Sequence, residues 1–324
     1  MNMGMKVEVE KGRVVIGEGF AISFQRTLRI PDDGNAYPLP PTLGGFPVRR
    51  GQDYADRLPA GWLGAEGTAV VFIPMYQREA LWLAFEARSW KPNAVKIGAG
   101  GIDALTGEPW QEGLHGSPQD YLVCPNQPWL DGINAGNGEI RQFVAMPPGE
   151  GYTIEEQLSG IEEMGGLQVV AYDPLAGIFP DQPPPETGYS PEPLQLADSI
   201  QGMGVAAGGR IIQKIYPDPH GVEVWDQTNP GRLRVFIVNS LQLKLITGEP
   251  PPPTPVSART YTERGYPWFA LYDEARTDIP AADKLRGVKS VRELDDEQGR
   301  QLEDEEEPTP IDPSKIKGID LEDS

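Results

Sequence analysis

The apolar and polar positions of this chain form short alternating runs separated by turns rich in glycine and proline. Residues 80–87 (ALWLAFEA) and 138–146 (GEIRQFVAM) are typical of these runs. Alternation over such lengths, bounded by turn residues, predicts β-strands rather than helices. The predicted strands cover residues 6–16, 20–30, 68–76, 80–87, 94–105, 121–124, 138–146, 167–172, 209–216 and 232–247, the last with a part that can be helical.

Helical signals are few. Thr153 stands three residues before Glu156, the spacing of a capping box, and predicts a helix of one or two turns that Gly160 ends. A second short helix is predicted within residues 256–273. Residues 31–67 are too rich in Pro and Gly for long regular elements, and we expect an ordered arm there, packed by Tyr37, Leu39, Phe46 and Trp62.

Composition supports a β-rich fold. The chain holds 38 Gly and 34 Pro in 324 residues, about twice the ordinary usage of each. Its 7 Trp, 11 Tyr and 9 Phe argue against a disordered chain. We therefore predict a mainly β protein over residues 1–292, a large antiparallel β-sandwich or two fused sandwiches, with a candidate sub-boundary near 173–200. Residues 293–324 are predicted to be a disordered acidic tail.

Charge limits the partners. The formal net charge is −20, and residues 293–324 contain 13 acidic residues against 3 basic ones. An acidic body disfavours nucleic acid as a partner, because binding to phosphates depends on clustered Lys and Arg. In the tail, a polar segment contains four spaced apolar residues, Ile311, Ile316, Ile319 and Leu321. Such a segment can dock on a protein partner or on another copy of the chain. The alternative is an unconstrained tail.

The sequence also predicts a compartment. The first residues alternate like a strand and lack the apolar run of a signal peptide. No segment approaches the roughly 18 consecutive apolar residues of a membrane span. The single cysteine, Cys124, forms no internal disulfide and implies no oxidising compartment. We expect a soluble cytoplasmic protein without a membrane span.

Catalytic side chains are scarce. There are two histidines, His115 and His220, and no serine in a G-x-S-x-G motif. Cys124 follows an apolar strand, the usual setting of an inert buried thiol. The glycine-rich string 204–210 (GVAAGGR) lacks the Lys-Ser/Thr of a phosphate loop and is interpreted as tight turns. The prediction leans away from an enzyme.

One segment resembles a metal site. Asp218, His220, Glu223 and Asp226 place an imidazole and three carboxylates within a short loop. A divalent ion can use such a set, although the spacing matches no established zinc or calcium loop. The alternative is a turn with solvated acids. No other cofactor is predicted.

Aromatic residues beside loops are the candidate ligand-binding groups. They are Trp90, Trp110, Trp129 and Trp225, together with Asp131 in the same loop as Trp129. Exposed indoles stack on sugars or hold the apolar groups of a partner. The alternative is that these rings pack in the core.

Several strings together resemble a family of bacterial and fungal proteins of about 300 residues with no established activity, some of them labelled integral membrane proteins. The strings lie at 27–48 (TLRIPDDGNAYPLPPTLGGFPV), 118–133 (PQDYLVCPNQPWLDGI), 140–160 (IRQFVAMPPGEGYTIEEQLSG), 203–226 (MGVAAGGRIIQKIYPDPHGVEVWD) and 261–273 (YTERGYPWFALYD). The resemblance covers about residues 20–290 and implies no activity. The membrane label disagrees with the hydropathy of this chain.

Three functions are open. The first is a binding or structural protein whose Pro/Gly-rich loops present aromatic residues to a protein, a glycan or another copy of the chain. The second is a hydrolase that acts on carbohydrate through carboxylates, with or without a metal at the 218–226 loop. The third is a subunit of a larger assembly, locked by the 31–67 arm and the tail.

Overall fold

The computed structural model describes residues 4–59, 61–63, 67–182, 202–264, 266–271, 277–280, 282–300, 311 and 313–319. The strands are β1 Val7–Glu10, β2 Arg13–Ile16, β3 Phe20–Thr27, β4 Ala36–Tyr37, β5 Thr42–Gly45, β6 Arg49–Arg50, β7 Thr68–Met75, β8 Ala80–Ala87, β9 Asn93–Ala99, β10 Ile102–Asp103, β11 Leu122–Cys124, β12 Trp129–Leu130, β13 Gly132–Gly136, β14 Glu139–Met146, β15 Leu167–Tyr172, β16 Gly202–Ile212, β17 Gly231–Asn239, β18 Trp268–Leu271 and β19 Ile316–Ile319. The helices are α1 Ile154–Ser159, α2 Lys244–Thr247, α3 Ala258–Glu263, α4 Asp283–Arg286 and α5 Val291–Glu297, with 3₁₀ turns at Gly51–Tyr54, Val222–Val224 and Pro313–Lys315.

Strands β1 to β17 join into one hydrogen-bonded sheet that forms two layers. The first layer contains β1 to β5, β8, β12 to β14 and β16. The second contains β6, β7, β9 to β11, β15 and β17. Strand β16 links them, because its first residues pair with β17 and the rest pair with β14. Pairing is mainly antiparallel; β7 with β17 is the longest parallel pair.

The main core lies between the two layers. Phe24 and Leu83 of the first layer belong to the same buried cluster as Ile97 and Val235 of the second. Strands with one face in this core show the predicted alternation. The cluster takes residues from both sides of the candidate sub-boundary near 173–200, most of which lies outside the described residues. The predicted mainly β, sandwich-like fold with few short helices is confirmed, and it has one main core.

Local signals in the sequence are reproduced closely. Strands β8 and β15 begin and end where the alternation predicts. Helix α1 has its capping box: the Thr153 hydroxyl accepts a hydrogen bond from the Glu156 backbone N at 3.2 Å, and the Glu156 carboxylate accepts one from the Thr153 backbone N at 3.3 Å. Gly160 ends the helix with φ of +86°, a conformation that glycine adopts without strain.

The described residues of the predicted arm, 31–59, 61–63 and 67, pack with both layers. Tyr37, Leu39 and Phe46 are buried in the main core cluster. Trp62 stacks on Phe236 of β17 with ring centroids 4.0 Å apart. The described part of the arm thus contributes buried side chains to the main core and an aromatic contact to β17.

Two interpretations of the sequence are wrong. Residues 6–16 are a hairpin rather than one strand, because Lys11 and Gly12 have positive φ and turn the chain between β1 and β2. The glycine-rich string 204–210 is not a set of turns but lies within β16. A Cβ at Gly204 would stand 2.5 Å from the Glu162 carboxylate. A side chain is therefore excluded there by close packing rather than by a turn.

The predicted tail begins inside a helix. The boundary after residue 292 cuts α5, in which Asp295 is fully buried. The Asp295 carboxylate accepts two hydrogen bonds from Arg78, at 2.7 and 2.8 Å, and one from the Tyr152 hydroxyl at 2.5 Å. Residues up to Arg300 thus belong to the folded body.

Part of the remaining tail pairs with the same chain. Strand β19 runs parallel to β18, and Ile311 packs against the main core. The other tail residues, 301–310, 312 and 320–324 with Leu321 among them, lie outside the described residues, and so does the prediction of disorder for them. Among the helices of the described part, none has the length and apolar character needed to cross a membrane.

Candidate functional site

A surface cavity of about 220 Å³ lies on the outer face of the first layer. We call it the tryptophan cavity. Its described lining residues are Leu39, Pro40, Pro41, Thr42, Trp82, Trp129 and Asp131.

Strand alternation places the two indoles side by side. On β8, Leu81 and Leu83 point into the main core, so Trp82 between them points to the outer face. Strand β12 pairs antiparallel with β8, with Trp129 opposite Ala84. The two indole rings are 6.4 Å apart at 73°, an edge-to-face arrangement that aromatic pairs favour. They form two walls at nearly a right angle.

The arm supplies the third wall. The Thr27 hydroxyl of β3 donates to the Pro41 carbonyl O at 2.8 Å, and the Thr42 hydroxyl donates to the Gln25 side-chain O at 2.9 Å. These bonds hold Pro40 and Pro41 beside the indoles. Proline has no N–H to donate, so this wall offers the cavity apolar ring surface.

Asp131 is the one ionisable residue among the described lining residues of the tryptophan cavity. It is 2% exposed. Its Oδ2 accepts a hydrogen bond from Gln213 Nε2 at 2.9 Å, and its backbone N donates to Gln213 Oε1 at 3.0 Å. Burial raises the pKa of the Asp131 carboxyl to about 7, an effect that the bond from Gln213 only partly offsets. The group therefore changes charge near neutral pH.

The structure brings together Trp129 and Asp131, two of the predicted ligand-binding residues. It places Trp110, Trp225 and Trp90 elsewhere. Trp225 is 3% exposed and belongs to a second buried cluster on the outer face of the second layer. Trp110 packs against that same cluster. The Trp90 ring lies under the Arg88 guanidinium, 5.9 Å from it.

Three of the four predicted metal residues, Asp218, His220 and Asp226, make contacts within the protein. Asp218 accepts hydrogen bonds from the Tyr121 hydroxyl at 2.5 Å, Trp225 Nε1 at 3.0 Å and the His220 backbone N at 2.7 Å. The carboxylate is thus a structural acceptor for three donors. The His220 ring makes an edge contact with Trp225 at 5.9 Å.

The two remaining acids of this loop do not complete a metal site. Glu223 is exposed, and Asp226 accepts hydrogen bonds from the Thr228 backbone N and hydroxyl. In the part of the chain that the structure describes, no three His, Cys, Asp or Glu side chains are grouped to hold a metal ion. The arrangement gives no support to the metal hypothesis.

Cys124 is fully buried, and its thiol donates to the Gln127 carbonyl O at 3.3 Å. Burial raises the pKa of this thiol well above its ordinary value. It therefore lacks the thiolate character of a nucleophile.

Sequence reasoning missed Trp82. It lies in a run whose apolar residues face both sides of the sheet, so its outward direction is not visible from hydropathy. Its register relative to Leu81 and Leu83 is the signal that would have found it. Comparisons with protein-family models, curated proteins and solved structures give no match, so the resemblance noted for the sequence stays a prediction and the function has to be argued from the site.

Proposed function

We propose that this chain is a binding protein whose tryptophan cavity holds a single sugar ring. The observation that carries the proposal is the pairing of Trp82 and Trp129, two perpendicular indoles, with the one buried carboxyl of Asp131. The apolar C–H face of a sugar stacks on an indole, and a sugar hydroxyl can donate to a carboxylate. A volume of about 220 Å³ suits one ring rather than an extended chain.

Binding is favoured over glycoside hydrolysis. Hydrolysis of a glycosidic bond commonly requires two carboxyl groups that flank it, about 5 to 10 Å apart. The described lining of the tryptophan cavity contains one carboxyl, Asp131. A cavity with stacking rings and a single acid can orient a sugar but lacks the second group of that mechanism.

The proposal is tested by titrating a panel of monosaccharides while intrinsic tryptophan fluorescence and calorimetric heat are recorded. We expect at least one sugar to bind, and Trp129→Ala and Trp82→Ala to weaken its binding about tenfold each, because each removes one stacking surface. Trp90→Phe is the matched control, since this ring lies apart from the cavity, and it should leave the affinity unchanged.

The same experiment can contradict the proposal. If no sugar binds, or if the two alanine variants bind as well as Trp90→Phe does, the cavity is not a sugar site. A proline-rich peptide is the informative competitor, because aromatic grooves also hold such peptides. Binding of that peptide without binding of any sugar would overturn the sugar assignment.

A second candidate function, self-association through the tail, rests on a separate observation. The tail strand Ile316–Ile319 pairs in parallel with Trp268–Leu271 of the same chain. This two-stranded sheet is separate from the main sheet, so two copies of the chain can exchange the tail strand. Light scattering should then show a dimer for the full chain and a monomer for a chain that ends at Arg300. Equal masses for the two chains would contradict it.

A further inference from the structure

A second cavity, of about 330 Å³, lies on the opposite outer face of the sandwich. We call it the polar cavity. On β9, Val95 and Ile97 point into the main core, so Lys96 points to the outer face of the second layer. The loop between β10 and β11 folds over Lys96 and lines the cavity with polar side chains.

A buried ion pair holds this loop. Lys96 Nζ donates to Asp120 Oδ2 at 2.5 Å and to the Gly113 carbonyl O at 2.9 Å. The two side chains are 3% and 8% exposed. The Trp110 ring covers the ammonium, with its centroid 5.8 Å from Nζ. Burying two charges costs desolvation free energy, and buried charged groups that line a cavity are candidates for a functional site.

His115 is the accessible member of the group. Its Nδ1 lies 2.7 Å from Asp120 Oδ2, and its backbone N donates to Asp120 Oδ1 at 2.8 Å. Its side chain is nevertheless 60% exposed. A carboxylate that receives bonds from an ammonium and a backbone N–H acts as an acceptor, so the proton of the neutral imidazole belongs on Nδ1. The lone pair of His115 is then on Nε2.

A second buried carboxyl, that of Asp103, lies beside Lys96 in this cavity. Asp103 Oδ2 lies 3.9 Å from Lys96 Nζ and is buried, with no hydrogen-bond partner among the described residues. Its other oxygen accepts bonds from the Leu105 and Thr106 backbone N and from the Thr106 hydroxyl. The lining contains three carboxyl groups, those of Asp103, Glu108 and Asp120, against the one ammonium of Lys96, so it disfavours anions. We therefore expect an uncharged molecule rather than an anion in this cavity.

We propose that the polar cavity is a hydrolytic site for small uncharged esters, in which His115 Nε2 is the general base and Asp120 and Lys96 are positioning residues. Nε2 takes a proton from a water molecule while the water oxygen attacks the ester carbonyl carbon. The new carbon–oxygen bond forms, and the bond to the leaving oxygen breaks. The imidazolium then gives its proton to the leaving oxygen and becomes neutral again. This pattern, a base oriented by a buried carboxylate, recurs in hydrolytic sites.

The geometry is tested without a substrate by nuclear magnetic resonance of the full chain labelled with ¹⁵N at histidine, recorded at about pH 8, where imidazole is mostly neutral. The chain has two histidines, so two imidazoles are observed, and His220→Gln identifies which signal belongs to His115. The proposal requires the Nδ1–H tautomer for His115 in the unaltered chain. Asp120→Asn should shift the tautomer populations of His115 toward the mixture of both tautomers that free imidazole shows. An Nε2–H tautomer for His115 in the unaltered chain overturns the proposal, whether or not the Asp120→Asn chain folds.

The activity is tested with p-nitrophenyl acetate, an uncharged ester. We expect the chain to hydrolyse it about a hundredfold faster than the same concentration of free imidazole. His115→Gln should remove that excess, and His220→Gln, the matched control, should retain it. Circular dichroism and the melting temperature confirm that both variants fold. A rate within about threefold of free imidazole, or an equal rate in the His115→Gln chain, overturns the catalytic assignment.

Discussion

The buried carboxyl of Asp131 should make the stability of this protein depend on pH, and Asp131→Asn should remove that part of the dependence. The side chain is 2% exposed and accepts one hydrogen bond, from Gln213. Asparagine has nearly the same shape and keeps an oxygen for Gln213, but it cannot ionise. The variant therefore changes charge while it preserves the packing of the tryptophan cavity.

The sign of the effect follows from the direction of the shift. Burial raises the pKa of Asp131 from 3.8 to about 7. Between about pH 4 and about pH 7 the folded chain keeps a proton that the unfolded chain has lost, so the free energy of unfolding falls as pH rises. Well above about pH 7 the carboxyl is ionised in both states, and its titration no longer changes the free energy of unfolding. The shift corresponds to about 4 kcal/mol in all, of which about 3 kcal/mol falls between pH 5 and pH 8.

The assay is urea unfolding at about pH 5 and about pH 8, followed by tryptophan fluorescence. Asp103 and Glu162 also have raised pKa values because of burial. Between these two pH values the free energy of unfolding of the unaltered chain should therefore fall by more than the amount that Asp131 alone accounts for. For the Asp131→Asn chain the fall should be about 3 kcal/mol smaller. Asp56→Asn, whose side chain is 79% exposed, should behave as the unaltered chain does. If the Asp131→Asn chain has the same pH dependence as the unaltered chain, burial does not raise the pKa of Asp131 in this way.

Three further substitutions test other parts of the fold by the same unfolding assay. Lys96→Met leaves buried carboxylates without their ammonium and should destabilise by about 3 to 5 kcal/mol. Lys284→Met, which breaks an exposed pair, should stay within about 1 kcal/mol, and similar effects of the two variants would contradict the burial of the Lys96–Asp120 pair. A Cβ at Gly98 would stand 2.6 Å from the Trp110 indole, so Gly98→Ala should destabilise the protein by about 1 to 3 kcal/mol. In the control, Gly287→Ala, the nearest atom to the new Cβ is 3.5 Å away, and stability should hardly change. If Gly98→Ala is equally neutral, the Trp110 indole moves to make room. Thr153→Ala removes the capping box of α1 and should lose about 1 kcal/mol, while no change would mean that tertiary packing alone holds the helix.

The fold could be predicted wherever a local pattern decides it. Ala80–Ala87 and Ile154–Ser159 are set by alternation and by capping, both of which are local. Strand β16 was missed in part because its glycines resemble turn residues. At Gly204 a side chain is excluded by a contact between distant parts of the sequence, because a Cβ there would collide with Glu162 and Thr153. Helix α5 was assigned to an acidic tail because composition does not show that Asp295 pairs with Arg78.

Candidate site residues could likewise be predicted where they stand together in the sequence, but not where only the fold brings them together. Trp129 and Asp131 were found because an aromatic and an acid stand together in one loop. Lys96 was not, because one lysine in an apolar strand gives no sign of its partner Asp120. The acids of the 218–226 loop were grouped by spacing, but the side chains of Asp218 and Asp226 accept hydrogen bonds within the loop instead.

The claim that the tryptophan cavity holds a sugar ring is tested most directly by a crystal structure of the chain with the monosaccharide that binds best. We predict electron density for the ring between Trp82 and Trp129, with one hydroxyl within hydrogen-bond distance of an Asp131 carboxylate oxygen. Density for the sugar at another place, with the cavity between the two indoles unchanged, would contradict it.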